Sequence, residues 1–367
     1  MAEEFRSISA SPNSPGLESH PRMLIVAIRA IGDVVLITPL LSLLRKAYPS
    51  GYLAVLVDGQ TADVLANNPS IDRLIQINRL ESQRQTCWKR GRDWVHLVRE
   101  LRNERFNVVV DLFSGPRSAI LTYFSGAAAR YGEDFRKHGR GMLYNHPIKI
   151  SRDERHLIEQ KLDLVKALLG EENLQAGRLE VFLAEKERQQ AEDLLAKQRS
   201  DQIRRIGLIP SAGSHWRVWP AERFAELAAR LTQTFGVEII LLGGQNDVEV
   251  CTRICQTMKV SPRDLSGKTT LRELMAVLAE LDLVISNVTG PMHLAVALAQ
   301  PKVIGLYGAA DTTQYAPWGS SAFMLTKGTK EEAHWHKVDY EQDYKRLLQI
   351  DIEDVLAVVP KLMPEWA

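Results

Sequence analysis

The chain has 367 residues, 45% of them hydrophobic and 25% charged, with a formal net charge of +1. That is the composition of an ordinary globular protein, long for one domain and natural for two. The near-neutral charge gives no overall pull toward nucleic acid, and no apolar run reaches the roughly 18 residues of a membrane span.

The first 22 residues are rich in Ser, Pro and Glu and lack an apolar core segment, so they read as a tail and not as a secretion signal. Strand-like apolar runs then follow at 23–28, 53–57, 73–77, 107–111 and 147–150. Helical spacing fills the intervals 34–47, 60–66, 92–103, 116–124 and 154–169. A domain boundary falls near 175–182, followed by the charged helical stretch 185–202. The second half repeats the rhythm, with strands near 205–210, 237–242, 282–285 and 302–306 and helices near 221–235, 246–257, 271–279 and 291–299. Leu347, Leu348, Ile352, Val355 and Leu356 predict one closing helix over 341–359. Such alternation predicts an α/β protein of two doubly wound parallel sheets, over 23–178 and 179–340, with a cleft at the strand C-termini.

Cys87, Cys251 and Cys255 give no disulfide framework and suit a reducing cytoplasm. Cys251 and Cys255 share a helix face without further ligands nearby, and the pair His334 and His336 is too little for a metal site. The basic stretch 84–105, seven Arg/Lys against three acids, is either a solvated helix or a contact to an anionic acceptor or membrane surface.

The strand-to-helix loops carry the chemistry. In "AIRAIGDVVLITPLL" (Ala27–Leu41) Asp33 falls in the first residues of a helix, whose dipole stabilises a carboxylate by roughly 0.3–1 kcal/mol. Gly32 beside it allows close approach of a ligand. Asp33 suits a general base; it equally suits a helix cap, and the local pattern leaves both open. "DLFSGPRSAI" (Asp111–Ile120) brings Arg117, and "AAARYGE" (Ala127–Glu133) brings Arg130.

In the second domain, "IPSAGSHWRVWP" (Ile209–Pro220) has Ser211, Ala212, Gly213 and Ser214, small enough for backbone N–H groups to approach an anion, and Arg217 adds fixed positive charge. "SNVTGPMHLAVAL" (Ser286–Leu298) starts a helix at Thr289, Gly290 and Pro291, with Thr289 as N-cap and the first-turn N–H groups turned to a ligand. Two such loops suit a diphosphate. In "LLGGQND" (Leu241–Asp247) the pair Gly243 and Gly244 would let a flat nucleobase lie on the backbone, or simply form a turn. There is no D-x-D pair, no G-x-G-x-x-G after the first strand and no P-loop motif, which argues against a metal-held diphosphate, a dehydrogenase and a P-loop NTPase.

Taken in order, "AIRAIGDVVLITPLL", "GLIPSAGSHWRVWPAERFAELA" and "SNVTGPMHLAVALAQPKVIGLYG" resemble the family 9 glycosyltransferases, the ADP-heptose heptosyltransferases of lipopolysaccharide core assembly, from about Met23 to Gly319. The resemblance implies a GT-B fold and inverting, metal-independent transfer from a nucleotide-diphospho-sugar, with no cofactor. It implies Asp33 as catalytic base with Gly32 as its partner, Arg117 on the acceptor side, Arg217 on the donor phosphates, and Thr289, Gly290 and His293 at the donor diphosphate; the loops themselves add Arg29 and Arg130 on the acceptor side and Ser211, Gly213, Ser214, Gly243, Gly244, Asn287, Pro291 and Met292 on the donor side. The partners implied are ADP-heptose and an anionic glycolipid or glycan, in the cytoplasm, with peripheral contact at the inner membrane. One position departs: the family's Asn-Asp-Thr/Ser-Gly reads Asn287-Val288-Thr289-Gly290 here, without the acid expected on the donor sugar's hydroxyls. A binding protein of the same fold without catalysis, and a GT-B nucleotide-sugar epimerase, remain rival readings.

Overall fold

The computed structural model describes residues 20–78, 87–135, 139–152, 154–195, 204–258, 262–308, 312–329 and 339–366. The expected tail up to residue 19, the pair His334 and His336, the start of the basic stretch at 84–86, the end of the charged stretch beyond 195 and the Cys87 side chain lie outside the described residues. The chain divides into two compact units, Met1–Gly177 and Arg178–Ala367.

Unit 1 runs β1 (Arg22–Ala27), α1 (Ile31–Leu36), α2 (Thr38–Ala47), β2 (Tyr52–Asp58), β3 (Arg73–Ile77), α3 (Cys87–Asn103), β4 (Val108–Asp111), α4 (Pro116–Phe124), β5 (Ala129–Glu133), β6 (His146–Ile148) and α5 (Leu157–Leu169). Its strands form one parallel sheet in the order β3-β2-β1-β4-β5-β6. Central strands β1, β2 and β4 are buried along nearly their whole length, as continuous apolar runs must be when helices cover both faces. One face packs Leu24, Val26, Leu56 and Val109 against Leu97 and Leu101 of α3 and Leu121 of α4.

Unit 2 runs α6 (Glu185–Leu194), β7 (Arg205–Ile209), α7 (Ala221–Phe235), β8 (Glu238–Leu241), α8 (Val248–Thr257), β9 (Arg263–Asp264), α9 (Leu271–Ala279), β10 (Leu283–Asn287), α10 (Gly290–Leu298), β11 (Lys302–Tyr307), β12 (Ala322–Thr326), α11 (Tyr340–Leu348) and α12 (Ile352–Leu362). Its parallel sheet has the order β12-β11-β10-β7-β8-β9. Counted from its own first strand, each sheet therefore follows the same 3-2-1-4-5-6 path of a doubly wound fold. Trp219, Phe224, Leu231, Ile285, Leu306, Val355, Val359 and Trp366 share one core cluster, so α12 belongs to this unit's packing. Cys251 sits in that core, where burial pushes its thiol up to about 12, and it acts there as an apolar filler.

Four local expectations change. The helix expected over 34–47 starts earlier and breaks at Ile37, because Pro39 cannot donate to the Val35 carbonyl four residues back. That carbonyl accepts from Thr38 Oγ1 instead, at 2.7 Å. The closing helix over 341–359 is two helices, interrupted at Gln349–Asp351, where Asp351 caps α12. The segment 60–66 tightens to a 3-10 turn at Ala62–Leu65. Strands β5, β9 and β12 fall outside the expected set: "ARYGE" and "RD" are polar, and "AFMLT" is a short apolar run that forms a half-exposed edge strand.

Candidate functional site

In open α/β sheets ligands bind beyond the strand C-termini where the strand order reverses. In unit 1 that point lies between β1 and β4, and in unit 2 between β7 and β10. The strand order alone thus selects four of the loops singled out above: those after β1 and β4, and those after β7 and β10.

In unit 1, Ala30 occupies the N-cap of α1 without a side-chain capping bond, and Asp33 is the third helical residue. Its side chain is 10% exposed and accepts a hydrogen bond from Arg29 Nε at 2.8 Å on Oδ2. The half-exposed Arg29 guanidinium also lies 5.2 Å from the centroid of the Phe113 ring, in the loop after β4. Arg29 is thus committed to the acid and the aromatic ring. Gly32, half-buried, sits beside Asp33, and Arg117 is exposed in the first turn of α4.

The structure does not bring Arg130 to this edge. Arg130 pairs with Val109 in the sheet, short of the C-terminal end of β4 at Asp111. Its guanidinium donates to the Leu143 and Ala127 carbonyls at 3.1 and 2.8 Å.

Beside Asp33's loop stands a buried polar group that the sequence reading missed. Asp111 is fully buried at the end of β4; its Oδ1 accepts from the Ser114 N–H at 2.8 Å and its Oδ2 from Tyr144 Oη at 2.8 Å. Burial pushes its carboxyl above the usual range. Ser114 Oγ accepts from the Glu133 N–H at 2.7 Å, and Arg152 forks onto the Glu133 carboxylate at 2.5 to 2.9 Å. Lys161 of α5 completes the group, with Nζ 3.9 Å from Glu133 Oε2 and 5.1 Å from the Phe113 centroid. Burial pulls its ammonium down to about 8. One signal for it was legible: Lys161 falls on the helix face of Leu157, Ile158, Leu164, Val165 and Leu168, all buried.

In unit 2 the loop after β7 runs through Ser211, Gly213 and Ser214 to a 3-10 turn at His215–Arg217. The Arg217 guanidinium lies 4.4 Å from the centroid of Trp216, which packs on Tyr340 at 4.5 Å. The loop is pinned from the neighbouring strand. Asn287, fully buried at the end of β10, accepts from the Trp219 N–H at 3.1 Å and donates to the Pro210 carbonyl at 2.8 Å. One acceptor site and one N–H of its amide are thus used on the protein, so Asn287 positions the loop that carries Arg217. Trp219 Nε1 in turn donates to the Ile350 carbonyl at 3.0 Å, and Arg223 donates to the Leu348 and Ile350 carbonyls, so the break between α11 and α12 braces the start of α7.

Beyond β10, Thr289 is the N-cap of α10 in extended conformation, and its side chain makes no capping hydrogen bond, contrary to expectation. Thr289, Gly290 and Pro291 are half-buried at the helix start. Val288 is 6% exposed. His293 is buried, and Met292 is fully buried with its sulfur 3.4 Å from Tyr307 Oη. At the third loop, Asp247 curls back and accepts from the Gly244 N–H at 2.7 Å. A Cβ on Gly243 would meet Asp247 Cβ at 2.7 Å. The turn therefore needs a glycine at 243, whereas a Cβ at Gly244 would meet nothing closer than 3.8 Å.

The profile of glycosyltransferase family 9 (heptosyltransferase) matches residues 94–345. The chain is 26% identical to lipopolysaccharide heptosyltransferase 3 of Escherichia coli (strain K12), over 92% of this chain and 96% of that one. Its structure resembles that of a family 9 glycosyl transferase from Veillonella parvula DSM 2008, with a TM-score of 0.79 at 25% identity, over 94% and 97% of the two chains. It shares its fold with the E. coli heptosyltransferase WaaC solved with ADP-2-deoxy-2-fluoro heptose, with a TM-score of 0.69 at 20% identity, over 93% and 99%.

Proposed function

The chain belongs to glycosyltransferase family 9, the heptosyltransferases, and from that premise we propose that it moves heptose from ADP-heptose onto a lipopolysaccharide core or a related anionic glycan, with inversion and without a metal, on the cytoplasmic side of the inner membrane. Unit 1 is the acceptor side and unit 2 the donor side. The observation that carries the reading is Asp33, a nearly buried carboxylate held by Arg29 at the switch point of unit 1.

In the proposed reaction Asp33 takes the proton of an acceptor hydroxyl. The oxygen attacks the anomeric carbon opposite the diphosphate, and the carbon–oxygen bond to ADP breaks with its electron pair leaving on the phosphate. Arg217 and the first-turn N–H groups of α10 meet that charge, with Ser211, Gly213 and Ser214 offering further backbone donors. His293 is assigned to the donor side on the family resemblance, Gly243 and Gly244 to the donor side on the room they leave for a flat nucleobase, and Gly32 and Arg117 to the acceptor side on the resemblance. Asp33 acts as base because the resemblance and its position agree, while Ala30 already holds the cap position.

The test is transfer of labelled sugar from ADP-heptose, against GDP-, UDP- and TDP-sugars, to core glycan lacking that heptose. Acceptor-dependent product with ADP-heptose is expected. Conversion of the donor without acceptor would make the protein an epimerase. Donor-induced stabilisation without any turnover would make it a binding protein; a ligand at 100 times its dissociation constant adds about 2.7 kcal/mol, ample for a thermal shift.

A further inference from the structure

Helix α4 wears its apolar face outward. Residues 116, 117, 120, 123 and 124 share one helical face. Ile120, Tyr123 and Phe124 on it are 40%, 48% and 43% exposed. The opposite positions, Ser118, Ala119, Leu121 and Thr122, are the buried ones. This inverts the usual distribution of an amphipathic surface helix. Met142, 76% exposed, extends the patch from the 3-10 turn Arg140–Leu143 that packs against α4. Exposed apolar patches of this kind mark interaction sites.

The border of the patch is basic. Arg117 lies on the same helical face, and the Arg130 guanidinium sits 5.6 Å from the Tyr123 ring centroid. Arg102 of α3 donates to the Phe124 carbonyl at 3.0 Å, which ties the end of α3 to the end of α4. From there Arg102, Arg99 and Arg92 form an exposed stripe along α3, beside a single exposed acid, Asp93, while Glu100 of the helix and Glu104 just after it are drawn away to Arg73 and Arg22. Neither α4 nor the turn carries an acid.

We propose that the outward face of α4, with Met142 and the basic stripe of α3, is the surface by which the protein rests on an anionic lipid bilayer. The proposal rests on the reading of the acceptor as a lipid-borne glycan. Among the described residues no helix is long and apolar enough to cross a membrane, so such an acceptor must be met from outside the bilayer. Apolar and aromatic side chains bordered by arginines suit the headgroup boundary. Anionic lipids attract each basic residue near the surface. Pairing two copies through this face would instead bring their arginines together.

The experiment is co-sedimentation of the full chain with phosphatidylglycerol/phosphatidylethanolamine vesicles, and with phosphatidylcholine vesicles, at low and high salt. Binding to the anionic vesicles alone, weakened by salt, is expected. Ile120→Ser/Phe124→Ser/Met142→Ser and, separately, Arg99→Glu/Arg102→Glu should each lower the partition by about tenfold or more, with unchanged turnover on a short soluble acceptor. Equal binding to neutral vesicles, no binding at all, or undiminished binding by both variants would overturn the proposal. So would a dimer, seen by light scattering, that the apolar variant dissolves. Melting curves establish that the variants are folded, and the salt and lipid dependence of the unaltered chain decides the matter if one is not. Vesicle binding needs no turnover: binding without transfer counts against the enzymatic reading, and transfer without binding counts against the surface.

Discussion

Arg29 donates from Nε to Asp33 Oδ2 at 2.8 Å, one helical turn away, and the same guanidinium lies over Phe113. The proposed base is therefore oriented from its own loop, while the aromatic ring comes from the neighbouring strand's loop. Asp33→Asn keeps the shape of the side chain and removes its capacity to take a proton. Turnover should fall about 10²–10⁴-fold, with the melting temperature and ADP affinity kept. A loss below threefold would leave Asp33 a structural residue.

Arg217→Ala should weaken ADP binding by the roughly 1.5–3 kcal/mol of a charge-assisted hydrogen bond, measured by calorimetry. EDTA should leave turnover unchanged. Activity lost to EDTA and restored by Mg²⁺ would refute the metal-free mechanism.

Asn287→Ala tests positioning against contact. It leaves the Trp219 N–H and the Pro210 carbonyl without their buried partner, each at a cost of about 1–3 kcal/mol. The melting temperature should drop, and ADP affinity should drop with it as the loop bearing Arg217 loosens. Weaker ADP binding at an unchanged melting temperature would instead identify Asn287 as a donor contact.

Lys161→Met should stabilise the protein at pH 7. Burial disfavours the charged form and pulls the native ammonium down to about 8 from its ordinary 10.5. The native state thus binds fewer protons than the unfolded chain between these values, and the penalty of the buried charge is fully present below pH 8 and fades as pH rises toward 10.5. That penalty is on the order of 3 kcal/mol. Denaturant titrations of both proteins should show the variant's advantage at pH 7 shrinking by pH 10. An advantage that does not change with pH would mean packing and not charge decides it.

Val288→Asp places a carboxylate at a position 6% exposed, next to the first turn of α10. If the missing acid limits donor recognition, preference for ADP-heptose over competing donors should rise by on the order of 1–2 kcal/mol, near tenfold, at some loss of melting temperature. An unchanged preference in paired-donor competition would assign Val288 to the core.

Much of this protein is legible in the sequence alone. The runs that became β1, β4, β7 and β10 are apolar because both their faces are covered, and that property is local. The phosphate-friendly loops are legible too, since Gly, Ser and Pro act within a few residues of themselves. The break at Ile37 is not read, although its cause, Pro39, is local: the apolar spacing over 34–47 predicts one continuous helix.

Other features depend on which strands become neighbours. The sheet order places the loop after β10 beside the loop after β7, and only then does Asn287 meet Pro210 and Trp219, 77 and 68 residues away. The register of β5 on β4 pairs Arg130 with Val109, short of the strand ends where Asp33's loop lies. The sheet order also gathers Asp111, Glu133, Arg152 and Lys161, whose charges no local pattern relates. Periodicity and turn chemistry are short-range and leave their mark in the order of residues. Hydrogen bonds and ion pairs between distant loops exist only once the strands have chosen partners, and that choice is made by the packing of the whole sheet.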